Sequence, residues 1–159
     1  MRKRITSEPI TTADTADAQQ WLDLDSLIRV ELTSEDPLYP IEAAFMDNAG
    51  FYGWRAMDAG AQTVRLLFDT PHRIRRICLL FQDIETARTQ EFVLRWRSAT
   101  DPHSREIVRQ QYTFSPPYTT EEREDYSVDL DALTELELCI VPEISGGPAR
   151  ASLAQLRLA

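Results

Sequence analysis

Residues 61–81, AQTVRLLFDTPHRIRRICLLF, are the stretch that decides the fold of this chain. Apolar side chains recur at every second position on both sides of the central DTPH segment, and a period of two is typical of β-strands. Pro71 cannot donate to a strand ladder and fixes its own φ, so the pattern predicts a turn at residues 69–72. The sequence therefore predicts two strands, joined by a tight loop, at the centre of a sheet.

The same alternation recurs outside this stretch. It predicts further strands at residues 28–32, 92–96, 107–114, 126–130 and 136–140, and a last strand ending at Leu158. Residues 38–60 are predicted as a long loop with a short helical turn at 41–46, and residues 115–125 as an exposed acidic connection. About eight strands and no long helix predict an all-β fold, a β-sandwich of the jelly-roll or Greek-key type.

Length and charge limit the class of protein. The chain has 159 residues, with 17 basic and 26 acidic side chains and a formal net charge of −9. A chain of this length buries enough surface to fold without a metal or a disulfide. An acidic balance disfavours a nucleic-acid backbone or an anionic membrane as partner. We therefore expect no nucleic-acid or membrane partner, and the oligomeric state is left open.

The first twenty residues differ in composition from the remainder. Residues 1–20 are polar and lack aromatic side chains, so we expect a flexible tail before a single domain at residues 21–159. A basic start without an apolar run behind it predicts neither a secretion signal nor a transmembrane span, and the expected location is cytoplasmic. Cys78 and Cys139 fall in strand-like runs and are expected to be reduced there.

Residue types that support catalysis are scarce. The two histidines, His72 and His103, lie beside proline in turn-like segments, and the acidic run at residues 121–125 is typical of a solvated face. No Gly-rich phosphate loop, nucleophile elbow or metal-spaced Cys/His cluster occurs. We predict no catalytic residue and no enzyme activity. A glycosidase would need two converging carboxylates, for instance Asp47 and Glu85.

Several motifs, taken in order, resemble the discoidin-type, galactose-binding-like β-sandwiches, which include C-type domains of coagulation factors and bacterial carbohydrate-binding modules. The matching residues are Ala44-Phe45, Asp47-Asn48, Trp54, Phe68-Asp69 and Pro71. Residues 88–101, RTQEFVLRWRSATD, are similar to the family's strand before a Ser-Asp-Gly-type turn, and residues 135–159 are similar to its last strand pair. The resemblance implies a non-catalytic module that binds its ligand through loops at one end of the sandwich.

An aromatic loop supplies most of the candidate ligand-binding residues. The set is Asp47, Asn48, Phe51, Tyr52, Arg55 and Arg88. Aromatic rings beside polar anchors suit a sugar, which stacks one face on a ring and hydrogen-bonds through its hydroxyls. Phe51 and Tyr52 have an equally weighted alternative role as plugs of the sandwich's open end. The resemblance implies that Trp54 packs inside, as its counterpart in those relatives does.

The resemblance also raises the question of a metal. In such relatives a loop Asp, main-chain carbonyls and a Glu bind calcium, and Asp47 is the matching Asp. Gln155 stands where many relatives have the Glu, and a hard cation favours carboxylates over an amide. We therefore predict no cofactor and disfavour calcium, with Asp47 as its ligand if one binds. Asp47 and Asn48 are expected to accept hydrogen bonds from loop amides instead.

Two functions stay open at this point. The first is a non-catalytic ligand-binding module, with a saccharide as the expected ligand. The alternative is a cytoplasmic protein–protein interaction module, which the missing secretion signal favours because free polysaccharide is scarce inside cells. Binding to a broad sugar panel and affinity capture from the native host discriminate between them.

Overall fold

The computed structural model describes residues 21–46 and 53–159. Its eight strands are β1 (Ile28–Leu32), β2 (Trp54–Ala59), β3 (Gln62–Gln82), β4 (Arg88–Ser98), β5 (Arg105–Phe114), β6 (Glu121–Val141), β7 (Arg150–Leu153) and β8 (Gln155–Leu158). A short α-helix, α1 (Leu24–Leu27), precedes β1, and a 3-10 helix (Ile41–Phe45) follows it. Within these two ranges, no helix is long and apolar enough to span a membrane. The predicted tail at residues 1–20 lies outside the described residues.

Two long strands, β3 and β6, organise the sandwich. Each has 21 residues, and they pair antiparallel from Gln62↔Ile140 to Gln82↔Glu121. The larger sheet runs β1-β3-β6-β4-β5, with β8 on the far half of β3, while β2 and β7 form a second, two-stranded sheet. β1 and β8 thus pair with different halves of β3. The prediction of an all-β sandwich of about eight strands is confirmed.

The predicted turn at Pro71 was wrong, because β3 runs through this residue. The β3–β6 ladder shifts register between Leu67 and His72, and residues 69–71 have no partner in it. Proline is tolerated in a strand at such an irregularity, since no partner strand requires the N–H it lacks. Pro71 therefore lies where the paired strands bend rather than where they end.

Two more predicted boundaries were wrong. β6 begins at Glu121, inside the predicted acidic connection, and it joins the strands predicted at 126–130 and 136–140. A positive φ of 54° at Ala132 lies close to the break in the ladder between those two halves. The predicted loop at 38–60 contains β2. β3 and β6 each combine two predicted strands, which lowers the count by two. The additional strand β2 and the division of the last strand into β7 and β8 raise it by two, so the total is still eight.

Aromatic and aliphatic side chains fill the interior. Trp54, Phe81, Phe92 and Phe114 are all 0% exposed, and Phe81 and Phe92 stack with ring centroids 5.1 Å apart. The indole Nε1 of Trp54 donates to the carbonyl oxygen of Ser34 at 3.2 Å, which satisfies its one polar group. The expectation that Trp54 packs inside is confirmed. Its burial anchors β2 and directs the next residue, Arg55, outward.

Ion pairs cover the outer faces of the long strands. Arg65 and Glu137 approach to 2.8 Å, Arg97 and Glu135 to 2.9 Å, and Arg76 and Asp125 to 2.7 Å. Arg73 and Asp129 form a similar pair with both side chains more than half exposed. Exposed pairs of this kind contribute roughly 0–1 kcal/mol each. They join neighbouring strands on the surface and lie outside the cleft described next.

A candidate ligand-binding cleft at one end of the sandwich

A cleft of about 840 Å³ opens at one end of the sandwich. It lies where β3 ends, β4 and β6 begin, and the turn between β6 and β7 folds over the sheet edge. Its polar lining includes Tyr39, Arg55, Asp83, Arg88, Glu143 and Arg150. Such a volume is within the range of small-molecule sites, and a position among loops on a rigid scaffold is usual for binding residues.

Arg88 forms a buried wall of this cleft. Its side chain is 3% exposed, and its guanidinium lies 4.6 Å from the centroid of the Phe114 ring. Nε donates to Asp83 Oδ2 at 2.7 Å, and Nη1 donates to the carbonyl oxygen of Pro142 at 2.8 Å and to Gln90 Oε1 at 3.2 Å. These contacts hold the guanidinium plane in one orientation.

One nitrogen of Arg88 is left for a ligand. Among the described residues, Nη2 has no hydrogen-bond partner. It is not a buried atom, because the one buried side-chain polar atom without a partner in those residues is Glu122 Oε2. Nη2 is therefore accessible to solvent, on a side chain that lines the cleft. Arg88 therefore presents a fixed, charged donor to any molecule bound there.

Asp83 is committed to holding Arg88 and its own loop. Burial raises the pKa of this carboxyl. The hydrogen bonds from Arg88 and from the amides of Thr86 and Glu85 lower the pKa by more than burial raises it, so the pKa lies below its ordinary value. Both amides donate to Oδ1 at 2.9 Å, while Arg88 binds Oδ2. Asp83 is therefore ionised at neutral pH, with both oxygens occupied.

Arg55 lines the cleft on another wall. Its guanidinium lies 4.6 Å from the centroid of the Tyr39 ring. The main chain fixes this arrangement, because Arg55 N donates to Tyr39 O at 3.1 Å and Asp36 N donates to Arg55 O at 2.9 Å. No carboxylate of the described residues forms an ion pair with Arg55. The charge is thus stacked on an aromatic face and retains its donors.

Arg150 and Ser152 extend the wall that holds Arg55. Arg55 pairs with Ser152 in the β2–β7 ladder, and residues opposite one another in an antiparallel ladder project to the same face. Arg150, two residues from Ser152, projects to that face as well. Its Nη1 lies 3.5 Å from Asp36 Oδ2. The small sheet therefore directs two arginines and a hydroxyl into the cleft.

A buried carboxyl lies behind Arg88. Glu122 is 1% exposed, and its Oε1 accepts a 2.7 Å hydrogen bond from Gln90 Nε2. Burial, together with the nearby charge of Glu124, raises the pKa of Glu122 to about 7, against the opposing effect of the Gln90 hydrogen bond. The prediction that the acidic run at 121–125 is a solvated face was wrong for this residue. Glu122 is in phase with Leu130, so the period of two carries it inward.

The six sequence-predicted ligand residues separate into two groups. Arg55 and Arg88 both line the cleft. The other four, Asp47, Asn48, Phe51 and Tyr52, lie outside the described residues, and their roles stay predictions. The sequence analysis missed Tyr39, Arg150 and Asp83. Their positions just after a strand or beside Pro and Gly turns were the available signal, since loops at strand ends carry binding residues.

The described part of the chain does not fit the calcium ion that the resemblance raises. Gln155 Nε2 donates to the carbonyl oxygen of Met46 at 3.1 Å. An amide N–H directed at a carbonyl takes the place that a cation would need, and an amide supplies no charge. No group of three or more His, Cys, Asp or Glu side chains that could hold a metal occurs in residues 21–46 and 53–159.

Comparison with solved structures defines the fold. The family 32 carbohydrate-binding module of C. perfringens NanJ, in complex with galactose, matches with a TM-score of 0.61 at 14% identity, over 87% of this chain and 96% of that one. The corresponding module of AlyQ, in complex with 4,5-unsaturated mannuronic acid, matches with a TM-score of 0.62 at 15% identity, over 88% and 98%. The fold is a galactose-binding-like β-sandwich. The resemblance inferred from the ordered motifs is confirmed at this level.

A solved structure of another kind of protein matches as well. XRCC1, in a complex with the DNA polymerase β catalytic domain, gives a TM-score of 0.57 at 13% identity, over 84% of this chain and 96% of that one. No family model and no curated protein sequence matches the chain. Because all these identities are low, the likeness establishes the sandwich and leaves the ligand to be argued from the cleft itself.

Proposed function

We propose that this galactose-binding-like domain is a non-catalytic module that binds a saccharide in the cleft. One observation carries the proposal: Arg55, stacked on the Tyr39 ring, and Arg88, with its unpaired Nη2, line the same cavity of about 840 Å³. A sugar needs several fixed hydrogen-bond partners and an apolar surface. The likeness to modules solved with galactose and with 4,5-unsaturated mannuronic acid supports the same ligand class.

Three carboxyls in or behind the cleft lack the properties of a glycosidase acid. A general acid in a glycosidase needs a raised pKa and access to the glycosidic oxygen. Asp83 and Glu143 have lowered pKa values, the latter mainly because the Ser145 amide donates to it. Glu122 has a raised pKa but is 1% exposed. None of these three groups combines both properties.

The alternative ligand is another protein. The likeness to XRCC1, which was solved bound to a polymerase domain, supports this alternative. The cleft favours the saccharide, because charged side chains, Arg55, Asp83 and Arg88 among them, line it. Interfaces between proteins are, in contrast, depleted of charge at their core.

The test combines a glycan array with calorimetry on the full chain and a variant that fills the cleft. Ser152→Tyr places a ring on the cleft wall opposite Arg55 and is expected to abolish saccharide binding. Ser127→Tyr, at an exposed position of β6, is the matched control and is expected to bind like the wild type. An array with no bound saccharide, or a Ser152→Tyr protein that binds normally, contradicts the proposal.

A further inference from the structure

Three arginines reach the cleft from three strands, and one of them, Arg55, has no carboxylate partner among the described residues. Arg55 stacks on the Tyr39 ring and, within residues 21–46 and 53–159, has no carboxylate partner. Arg88 donates hydrogen bonds from Nε and Nη1 to the protein, while its Nη2 has no partner among the described residues. Arg150 has one carboxylate oxygen of Asp36, at 3.5 Å. In a chain with a net charge of −9, an arginine that lines a cleft without a carboxylate partner is unusual, and it favours an anionic ligand.

None of the carboxylates that line the cleft forms an ion pair with Arg55. Asp83 accepts from Arg88 and from two backbone amides. Glu143 accepts from the amides of Thr89 and Ser145, each at 3.3 Å. Glu121 pairs with Arg123 at 2.6 Å. A further carboxylate, Glu85, is exposed on the β3–β4 loop, where water screens it.

The geometry of Arg55 suits a planar anion. A guanidinium offers two parallel N–H groups that match the two oxygens of a carboxylate, and stacking on Tyr39 fixes its plane before a ligand arrives. Ser152 is opposite Arg55 in the ladder and Arg150 is further along the same face. A carboxylate bound to Arg55 therefore has a hydroxyl and a second cation on the same wall.

We propose that the cleft selects acidic saccharides, sugars whose ring carries a carboxylate, and that Arg55 binds this carboxylate while Arg88 Nη2 binds the ring substituents. This inference rests on the proposed saccharide-binding function and names the ligand class within it. The acidic surface repels an anion at long range, so the selectivity comes from contacts inside the cleft. Such contacts act well within the Debye length of about 8 Å at physiological ionic strength.

Oligosaccharides of galacturonic, glucuronic and mannuronic acid, each paired with its methyl ester, are the probes for this proposal. Esterification removes the charge and keeps the ring, so each pair isolates the carboxylate. Calorimetry on the full chain is expected to show at least one acid bound about tenfold more tightly than its ester, the difference that a charge-assisted hydrogen bond supplies. Neutral galactose, glucose and mannose oligosaccharides complete the panel.

Variants assign the effect to Arg55. Arg55→Gln is expected to lower the affinity for the acid to that for its ester. Arg55→Lys keeps the positive charge but loses the paired N–H donors of the guanidinium, and it is expected to retain part of the preference for the acid. Arg73→Gln, which removes an exposed arginine paired with Asp129, is the matched control and is expected to leave binding unchanged. Thermal melts verify that each variant is folded.

Each outcome bears on a different statement. If neutral sugars or esters bind as well as the acids, saccharide binding stands and the acidic preference is wrong. If the acids are preferred but Arg55→Gln retains the preference, the assignment to Arg55 is overturned. If no saccharide in the panel or on the array binds, the proposed function fails and the inference fails with it.

Discussion

Gln90 donates from Nε2 to Oε1 of Glu122 at 2.7 Å, while Oε2 of the same carboxyl has no hydrogen-bond partner among the described residues. A carboxylate that is 1% exposed and half satisfied is costly to keep ionised. Protonation of Oε2 removes the charge and makes this oxygen a donor, and Glu124 lies close enough to raise the pKa of Glu122. The relationship thus makes the interior sensitive to pH.

The first prediction concerns stability between acid and alkaline pH. The pKa of Glu122 rises on folding from 4.5 to about 7, so the folded state holds a proton that the unfolded state releases. This contribution to stability is complete below pH 4.5 and is lost as the pH rises through about 7. Glu122→Gln mimics the protonated carboxyl. It is expected to raise the free energy of unfolding at about pH 8 by on the order of 2 kcal/mol, and to change it little at about pH 4.

Urea titrations at the two pH values measure the difference. Glu121→Gln is the control, since this neighbour is exposed and pairs with Arg123 on the surface. Carboxyls with lowered pKa values, such as Asp83 and Asp125, act in the opposite direction at low pH in every variant. A Glu122→Gln protein whose stability changes by the same amount at both pH values would show that folding does not raise the pKa of Glu122.

The second prediction concerns Gly53, the residue before β2, which lies against the backbone between β7 and β8. Gly53 has a φ of +53°, and a Cβ built there lies 2.3 Å from the carbonyl oxygen of Leu153 and 2.5 Å from Cα of Ala154. Backbone atoms cannot yield as a flexible side chain would. Gly53→Ala is expected to lower the free energy of unfolding by more than about 3 kcal/mol, through overpacking added to an unfavourable φ.

Gly60→Ala separates the two causes. Gly60 also has a positive φ, of +85°, but no atom lies within 4 Å of a Cβ built there. It should therefore lose only about 1 kcal/mol, the cost of the left-handed backbone. Denaturant unfolding of both variants compares them directly, and equal losses would mean that the contact with Leu153 does not constrain Gly53.

The third prediction concerns metal dependence near Gln155. Because its amide donates to the Met46 carbonyl, the thermal midpoint of the wild type is expected to be the same with EDTA and with added calcium. Gln155→Glu replaces the donor by a carboxylate that faces a carbonyl. Its free energy of unfolding is expected to fall by about 1 kcal/mol, the usual contribution of one hydrogen bond.

Thermal melts of both proteins, with and without EDTA, measure these effects. Gln110→Glu on β5 is the control for adding one negative charge away from this loop. A wild type whose melting temperature drops on chelation would show that the loop is a metal site and that the hydrogen bond to Met46 is not its main support.

Alternation of apolar residues predicted the strands well wherever one face of a strand is buried. Residues 28–32 were predicted as a strand and form β1, and the helical turn predicted at 41–46 is the 3-10 helix. The alternation stops at residues 69–73 and resumes beyond them, and Pro71 was therefore interpreted as a chain reversal. Whether proline ends a strand depends on whether a partner needs its N–H, and that is a property of the pairing rather than of the local sequence.

The candidate site shows the same division. Arg55 and Arg88 were chosen from the sequence, and both line the cleft. Tyr39, Asp83 and Arg150 were not chosen, because they come from connections that are distant in the chain. Nothing in the local pattern indicates that residues 39, 83 and 150 meet. Contacts of that range are made only when β2 pairs with β7 and the β3–β4 loop closes over Arg88.

By itself, the sequence determined the all-β class and the strand faces, since a period of two and the cost of exposing apolar area act locally along each strand. The tertiary structure decided that β3 and β6 run unbroken for 21 residues each, because their ladder accommodates the bend at Pro71. It also decided that Glu122 is buried while Glu121 is exposed, and that three arginines share one cleft. Burial and charge pairing depend on which strands become neighbours, and no single segment of the chain contains that information.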